Sequence, residues 1–337
     1  MALEVGARAE RRRPGPWRLA GRRLARNRVA LASAAVFLAI VLACTLGAPL
    51  WADHVAHHGP DAQNIQGTIQ IDGKAVPVVG LDGTPIGPGW HGPYLLGADA
   101  NGRDLLVRLL YGGRTSLVVG LGAAVVCLLL ALALALPAAY FGGAVDSVIS
   151  RLLDLIWSFP VYLLAVALAT SLAIDGFHAG PISVGAGSLW LPVSVIAVVF
   201  VPYVARPLRG ELLALRRAEF VEAAMAHGAG PLRVMVGELL PNIASSALVF
   251  FTLIVANNIL TEAALSYLGV GVSLLTPSWG NIIQQGFSSI VTAPALTVAP
   301  GIAILLTVVS LNVLGDGLRD ALDPHASSRT SFDERAV

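Results

Sequence analysis

Residues 115–145 read TSLVVGLGAAVVCLLLALALALPAAYFGGAV and contain no charged side chain. A helix that crosses the hydrocarbon core of a bilayer needs roughly 20 apolar residues, so this stretch predicts a membrane-spanning helix. The whole chain has the same character, because 55% of its residues are hydrophobic, only 13% are charged and its mean hydropathy is +0.73. Soluble domains have about 25% charged residues. The sequence therefore predicts an all-α integral membrane protein.

Five further uncharged stretches flank this one, and together they predict about six transmembrane helices. One lies before residue 115 and four follow residue 145: 29–51, 155–174, 189–205, 239–261 and 292–314. The segment between the last two spans also lacks charge. There, Pro277, Gly280 and Pro294 predict a re-entrant or non-helical segment.

The first 28 residues hold nine arginines and directly precede the first apolar run. That run is longer than the roughly 7 to 15 apolar residues of a signal peptide, and Pro49, Leu50 and Trp51 stand where a cleavage site needs small residues. We therefore expect a retained first helix. All but four of the 22 basic residues then fall on the arginine-rich side of six spans, which predicts that both chain ends are cytoplasmic.

These boundaries divide the chain into five predicted segments. They are a cytoplasmic basic arm (1–28), a first span (29–51), an external loop (52–112), a five-helix membrane core with a cytoplasmic loop at 206–242 (113–315) and a cytoplasmic tail (316–337). Within the external loop, Thr68 to Val79 predicts two short strands around Asp72-Gly73, which is a signal for a type I′ hairpin.

Metal and disulfide chemistry is not expected. The external loop offers four histidines, His54, His57, His58 and His91, but no second ligand cluster has the spacing of a zinc site, so a solvated loop is the favoured interpretation. Cys44 and Cys127 each lie inside an apolar run, where a thiol acts as a small apolar side chain. The balanced net charge of +1 gives no sign of a nucleic-acid-binding surface.

Two acidic residues fall within predicted spans, where an unpaired charge is costly. Asp154 and Glu262 are therefore candidates for a proton relay. The favoured alternative is structural: Asp154 pairs with Arg151 one turn away, and Glu262 faces a polar cavity together with Asn257 and Asn258.

The cytoplasmic loop carries the strongest functional signal. It predicts a helix through Glu219–Ala224, a break at Gly228-Ala229-Gly230, and a second helix that begins at Pro231, since Gly suits the turn and Pro the first helical position. Such a helix, bend and helix would form a docking surface for a partner. The chain cannot bind ATP through a phosphate loop, because its only lysine, Lys74, is followed by Ala75.

The residues Glu222-Ala223-Ala224, Gly228 and Leu240-Pro241, at this spacing, resemble the EAA loop of permease subunits in binding-protein-dependent ABC importers. Glu238, three residues before Pro241, departs from the Ile or His often found there. Other stretches are similar to the dipeptide, oligopeptide and nickel branch, specifically the second, C-type permease of its heterodimer. They are Leu96-Gly97-Ala98-Asp99, Gly102-Arg103-Asp104, residues 111–117, residues 265–269, Ser278-Trp279-Gly280 and residues 312–320.

The resemblance implies a type I ABC importer permease fold with a small external insert, in the bacterial cytoplasmic membrane. It implies as partners a paralogous permease subunit, two ATPase subunits or domains and an extracytoplasmic solute-binding protein, with lipid around them. ATP and Mg would be bound by the ATPases, so this chain would not itself be an enzyme. The implied ATPase-coupling residues are Glu219, Glu222, Ala223, Ala224, Gly228, Leu240 and Pro241.

Two other classes remain as alternatives. An ion-coupled secondary transporter would be expected to show an internal repeat with broken helices in matching halves, and the sequence shows no such repeat. A non-transport membrane scaffold would not need a compact docking loop. Within the importer family, dipeptide, longer peptide, nickel, glutathione and haem-like solutes are all compatible with the resemblance.

Overall fold

The computed structural model describes residues 16–71, 73–89, 93–179, 182–185 and 187–322. Most of the predicted tail, the start of the basic arm, Asp72 of the hairpin turn and His91 lie outside these residues. The described chain is almost wholly helical, and its helices follow in order. They are α1 (Pro16–Leu24), α2 (Arg28–Leu42), α3 (Ala48–Trp51), α4 (Leu105–Phe141), α5 (Gly143–Trp157), α6 (Val161–Asp175), α7 (Trp190–Leu215), α8 (Glu219–Ala226), α9 (Pro231–Arg233), α10 (Leu240–Tyr267), α11 (Trp279–Gly286) and α12 (Ala295–Leu322).

Irregular helical turns join some of these elements, and two short hairpins complete the fold. The five-residue and six-residue π turns are Ala43–Gly47, Ala52–Ala56 and Val234–Leu239, and a 3₁₀ turn spans Phe287–Ser289. The strands are β1 (Thr68–Ile71), β2 (Lys74–Pro77), β3 (Phe177–Ala179) and β4 (Ile182–Val184). Antiparallel pairing of Ile71 with Lys74 confirms the predicted hairpin in the external loop.

Five continuous helical segments among the described residues are long and apolar enough to cross a membrane, and they confirm five of the predicted spans. They are Arg28–Ala56, Leu105–Phe141, Trp190–Leu215, Pro231–Tyr267 and Ala295–Leu322. A short helix, α11, lies between the last two, where a re-entrant segment was expected.

The predicted third span, 155–174, is wrong as a single helix. It begins in the last turn of α5 and continues in α6, and the two helices are bent by 88° from each other. Pro160 explains the break, because it has no N–H to continue the ladder and disfavours a helical conformation at Phe159. The third span is therefore this bent pair.

The core lies where α4 packs between α7 and α10, and small residues on α4 let the helices approach closely. Ala123, Ala124, Cys127 and Ala131 are all fully buried there. At Gly120 a Cβ atom would lie 2.4 Å from Ile259 Cγ1 on α10, so even alanine would push the two helices apart. Helix contact in this core is thus set by small side chains and not by large interlocking ones.

A buried polar cluster fixes the segment before α4 to the re-entrant helix α11. Arg103 and Arg108 both donate to Gln285 Oε1, at 2.9 and 3.0 Å. Asp99 Oδ2 lies 2.7 Å from Arg103 Nε and 3.7 Å from Arg108 Nε. Arg108 is 1% exposed, and its Nη1 also lies 3.7 Å from Asp61 Oδ1. Two arginines therefore join three segments that are distant in the sequence.

Replacing Arg108 with methionine is expected to lower the free energy of unfolding by about 3–5 kcal/mol, because it leaves buried partners of a charge network unpaired. The measurement is the midpoint of thermal unfolding in detergent. Arg114→Met is the matched control, since Arg114 lies on the same helix but is exposed. Equal midpoints for the two variants would mean that the Arg108 cluster contributes no stability.

Candidate functional site

Helix α8 lies in the loop between α7 and α10, and its bounds follow from local chemistry. Ala218 precedes it in an extended conformation, and Glu219 and Glu222 occupy the first turn, where negative charge interacts favourably with the helix dipole. At the other end, the backbone N–H of His227 donates to Ala223 O at 3.0 Å. His227 Nδ1 lies 2.8 Å from the same oxygen and caps it when the ring nitrogen carries the proton.

The bend that ends α8 is a Schellman motif centred on Gly228. Gly228 has φ +82°, and its N–H donates to Met225 O at 2.9 Å. The N–H of Ala229 donates to Ala224 O at 3.1 Å, which completes the motif. Only glycine adopts this left-handed conformation without strain, so Gly228 fixes the direction in which the chain leaves α8.

The second arm of the hairpin continues directly into a membrane span. Pro231 opens α9, and helical backbone then runs without interruption through a π turn into α10, giving one segment of 37 residues, Pro231–Tyr267. Pro241 near the start of α10 has no N–H to offer, and Asn242 Nδ2 instead donates to Glu238 O at 2.6 Å. At about 1.5 Å per residue this segment is about 55 Å long. A displacement of the hairpin would therefore be carried along the whole span.

The hairpin has a buried inner side and an exposed outer side. Val221, Val234 and Leu239 are 0% exposed and belong to the same apolar core as α4 and α7, so they hold the hairpin against the membrane bundle. On the outer side four large apolar side chains are exposed. This exposed apolar face comprises Phe220 (38%), Met225 (38%), Leu232 (71%) and Val236 (51%). Contiguous exposed apolar residues of this kind mark a surface that another protein covers.

The structure brings most of the predicted site residues together on this hairpin. Glu219, Glu222 and Ala223 are exposed on α8, Ala224 is half-buried and Gly228 forms the bend. Leu240 and Pro241 lie further along, at the start of α10, with Leu240 half-buried and Pro241 exposed. The sequence analysis missed the exposed apolar face. A signal for it was present, since Phe220, Met225, Leu232 and Val236 are large apolar residues in an otherwise polar cytoplasmic loop.

The helix α5 is tied to α7 just before the hairpin begins. Asp154 forms an ion pair with Arg206, and Asp146 forms one with Arg209. The predicted pairing of Asp154 with Arg151 is therefore wrong. Arg206 lies on α7, 52 residues away in the sequence, and its guanidinium also sits 4.5 Å from the centre of the Trp157 ring.

Glu262 is enclosed at the junction of α4, α10 and α11. It is 0% exposed, and Ser266 Oγ donates to its Oε1 at 2.7 Å. The predicted polar cavity with Asn257 and Asn258 is wrong, because Asn258 is buried against α4 near Gly120 and Asn257 is exposed on another side of α10. Glu262 thus has the surroundings of a structural residue that joins elements.

The histidines of the external loop bond locally. His54 Nδ1 lies 3.2 Å from Leu50 O and His57 Nδ1 lies 3.0 Å from Asp53 O, each one helical turn away. His58 packs its ring against Tyr94 and has Nε2 3.9 Å from Asp104 Oδ2. Among the residues that the structure describes, no group of three or more His, Cys, Asp or Glu side chains is placed to hold a metal ion.

Comparison with known proteins matches two families over most of the chain. Residues 102–328 match the family described as binding-protein-dependent transport system inner membrane component. Residues 15–71 match the N-terminal transmembrane domain of oligopeptide transport permease C.

Three relatives are similar over nearly the full length of this chain. The glutathione transport system permease protein GsiD of Pectobacterium atrosepticum is 34% identical, over 93% of this chain and 92% of its own. The dipeptide transport system permease protein DppC of Alkalihalophilus pseudofirmus is 33% identical, over 93% and 91%. A putative peptide transport system permease protein of Brucella abortus is 33% identical, over 91% of both chains. All three relatives are named as transport permeases.

Proposed function

This chain belongs to the family of binding-protein-dependent transport system inner membrane components, and from that premise we propose that it forms one half of the solute pathway in an ATP-driven peptide importer. The observation that carries the proposal is the exposed apolar face of the docking hairpin, mounted on a helical segment that continues into a membrane span. A groove on a cytoplasmic ATPase would cover that face.

The mechanism follows from the way the hairpin is held. Val221 and Val234 anchor the hairpin in the membrane core, so it does not move independently of the bundle. When two ATPases close on ATP, the covered hairpin moves with them, and the continuous segment Pro231–Tyr267 transmits that motion towards α11. Access to the pathway then alternates between the two sides of the membrane.

The finer assignments form part of this proposal. The chain pairs with a paralogous permease in the bacterial cytoplasmic membrane, keeps both ends in the cytoplasm, and receives solute from an extracytoplasmic binding protein. ATP and Mg bind to the partner ATPases, and this chain performs no catalysis. Glu219, Glu222, Ala223, Ala224 and Gly228 form the coupling contact, and Leu240 and Pro241 join it to α10.

Peptides are the proposed solute class. Two of the three relatives described above carry dipeptide or peptide transport in their names, and the third carries glutathione, which is itself a modified tripeptide. A nickel or haem complex has no such support among those three.

The proposal is tested by purifying the chain from its native membrane in mild detergent and identifying what accompanies it. A second permease and ATPase subunits should co-purify, and the complex should hydrolyse ATP and import a labelled peptide after reconstitution with its binding protein. Recovery of this chain alone, with solute uptake driven by an ion gradient and independent of ATP, would overturn it.

Reversing the charge at Glu222 is expected to uncouple the reconstituted importer. In the Glu222→Arg variant, ATP hydrolysis should continue while peptide uptake per ATP falls about tenfold, which corresponds to a loss of about 1.4 kcal/mol of contact energy. Glu211→Arg is the matched control, because Glu211 is exposed at the end of α7 but lies outside the hairpin. An equal loss of uptake in both variants would contradict a specific role for Glu222.

A further inference from the structure

A groove opens between α7 and α10 on the surface of the bundle. Its volume is about 190 Å³, and it lies at mid-depth along both helices. Its lining residues are Phe200, Tyr203, Val204, Phe250, Leu253, Ile254 and Asn257. Closed sites for small ligands are larger, at roughly 300–1,000 Å³, so this groove has the size of one wall of a site that a second subunit would complete.

Asn257 shows that lipid does not cover this groove. Its side chain is exposed near the middle of a membrane span, and Nδ2 donates to Leu253 O at 2.9 Å. That bond uses one N–H of the amide, which leaves the second N–H and the oxygen directed outward. Lipid offers no partner for these groups, so exposed amides in spans face water, a polar partner or a solute.

Tyr203 on the opposite wall leads to the same conclusion. It is 40% exposed, and within the described part of the chain its hydroxyl forms no hydrogen bond. A tyrosine hydroxyl in an apolar setting normally has a partner. Two polar groups from two different helices therefore converge on one groove whose other walls are apolar.

An aromatic surface continues from the groove towards the break between α5 and α6. The ring of Phe200 lies 5.4 Å from that of Tyr203, and Trp157 stacks on Tyr203 at 4.3 Å with 30° between the ring planes. Arg206 covers the far side of Trp157 and is neutralised by Asp154. The lining of the groove itself contains no charged residue.

We propose that this groove is the part of the solute passage contributed by this chain, and that it takes a short uncharged peptide with an apolar side chain. The apolar side chain lies against the rings of Phe200 and Phe250, and the amide of Asn257 pairs with the backbone of the peptide. An anionic solute such as glutathione finds no cation in the lining. The inference rests on the proposed import function and adds to it the position of the passage and the chemistry of the solute.

The position is tested by cysteine accessibility in the assembled importer. The background is Cys44→Ala with Cys127→Ala, both of which are buried. Asn257→Cys and Leu253→Cys are treated with a water-soluble quaternary-ammonium methanethiosulfonate, which reacts with the thiolate and so reports water. Leu248→Cys is the matched control, because Leu248 is 37% exposed on the same helix but lies nine residues away, about half a turn around the axis.

Residues 253 and 257 should react at least about tenfold faster than residue 248. Unreactive cysteines at both groove positions, in a complex that still couples ATP hydrolysis to uptake, would overturn the inference and leave the import function intact. That result would mean that lipid or the second permease seals the groove. Failure of the chain to assemble with ATPases would instead contradict the import function.

The solute chemistry is tested by protection of the Asn257→Cys thiol. Ala-Phe should slow its modification several-fold, whereas S-methylglutathione, which has no free thiol to consume the reagent, should not do so at the same concentration. Tyr203→Ala should remove the protection by Ala-Phe. Equal protection by both compounds, or by neither, would overturn the assignment to apolar peptides.

Discussion

Replacing Gly228 with valine is expected to remove most coupled uptake, whereas the same replacement at Gly230 should leave uptake close to that of the wild type. Neither position has an atom within 4 Å of the added Cβ, so the two sites differ in backbone conformation and not in space. Gly228 has φ +82°, which strains a β-branched residue by about 1–3 kcal/mol. Gly230 has φ −70° and ψ 164°, an extended conformation that valine favours.

The strain at Gly228 is relieved by unfolding the Schellman motif, and this redirects α8 relative to the span that follows. The exposed apolar face is then presented at a different angle, and the contact with the ATPase is lost. Peptide uptake per ATP hydrolysed should fall about tenfold or more in Gly228→Val, because 1.4 kcal/mol corresponds to a factor of ten. The measurement is uptake and ATP hydrolysis by the same reconstituted complex. Normal coupling in Gly228→Val would show that the bend does not set the docking geometry.

The hairpin could be predicted from the sequence because its determinants are local. Gly228 sits three residues before Pro231, and this order of turn residue and helix-starting residue is legible within a window of ten positions. The spans were equally legible, since a bilayer imposes long apolar runs. The bend at Pro160 was also a local signal, and the sequence analysis read through it because the residues on both sides are apolar.

The partners of the charged residues could not be predicted in this way. Asp154 had Arg151 within one turn, but the ion pair forms with Arg206 on a helix that packs beside it. Gln285 joins Arg103 and Arg108 across more than 170 positions, and Ser266 rather than Asn257 bonds to Glu262. Each of these contacts depends on how helices pack, and a single sequence carries little information on that packing. The exposed apolar face was missed for a related reason, since which apolar residues of a loop face outward depends on the burial of Val221 and Val234.

Replacing Gly280 with alanine is expected to destabilise the protein, although alanine is ordinarily the better helix former. Gly280 lies in the first turn of α11, where this re-entrant helix crosses α10. A Cβ atom there would lie 2.4 Å from Ala263 O and 2.8 Å from Ser266 Cβ. The first contact is with backbone, which has no rotamer to change, so α11 must move away from α10. That movement also displaces Ser266, whose hydroxyl donates to the buried Glu262.

The expected loss is about 1–3 kcal/mol from overpacking, with more if the Glu262 carboxylate loses its donor. Gly301→Ala is the matched control, because Gly301 lies in the helix α12 with no atom within 4 Å of an added Cβ. Its helix propensity should raise stability by up to about 1 kcal/mol. Thermal unfolding in detergent should therefore shift in opposite directions for the two variants. A shift in the same direction would mean that the crossing of α10 and α11 tolerates a methyl group, and that Glu262 is not held by this contact.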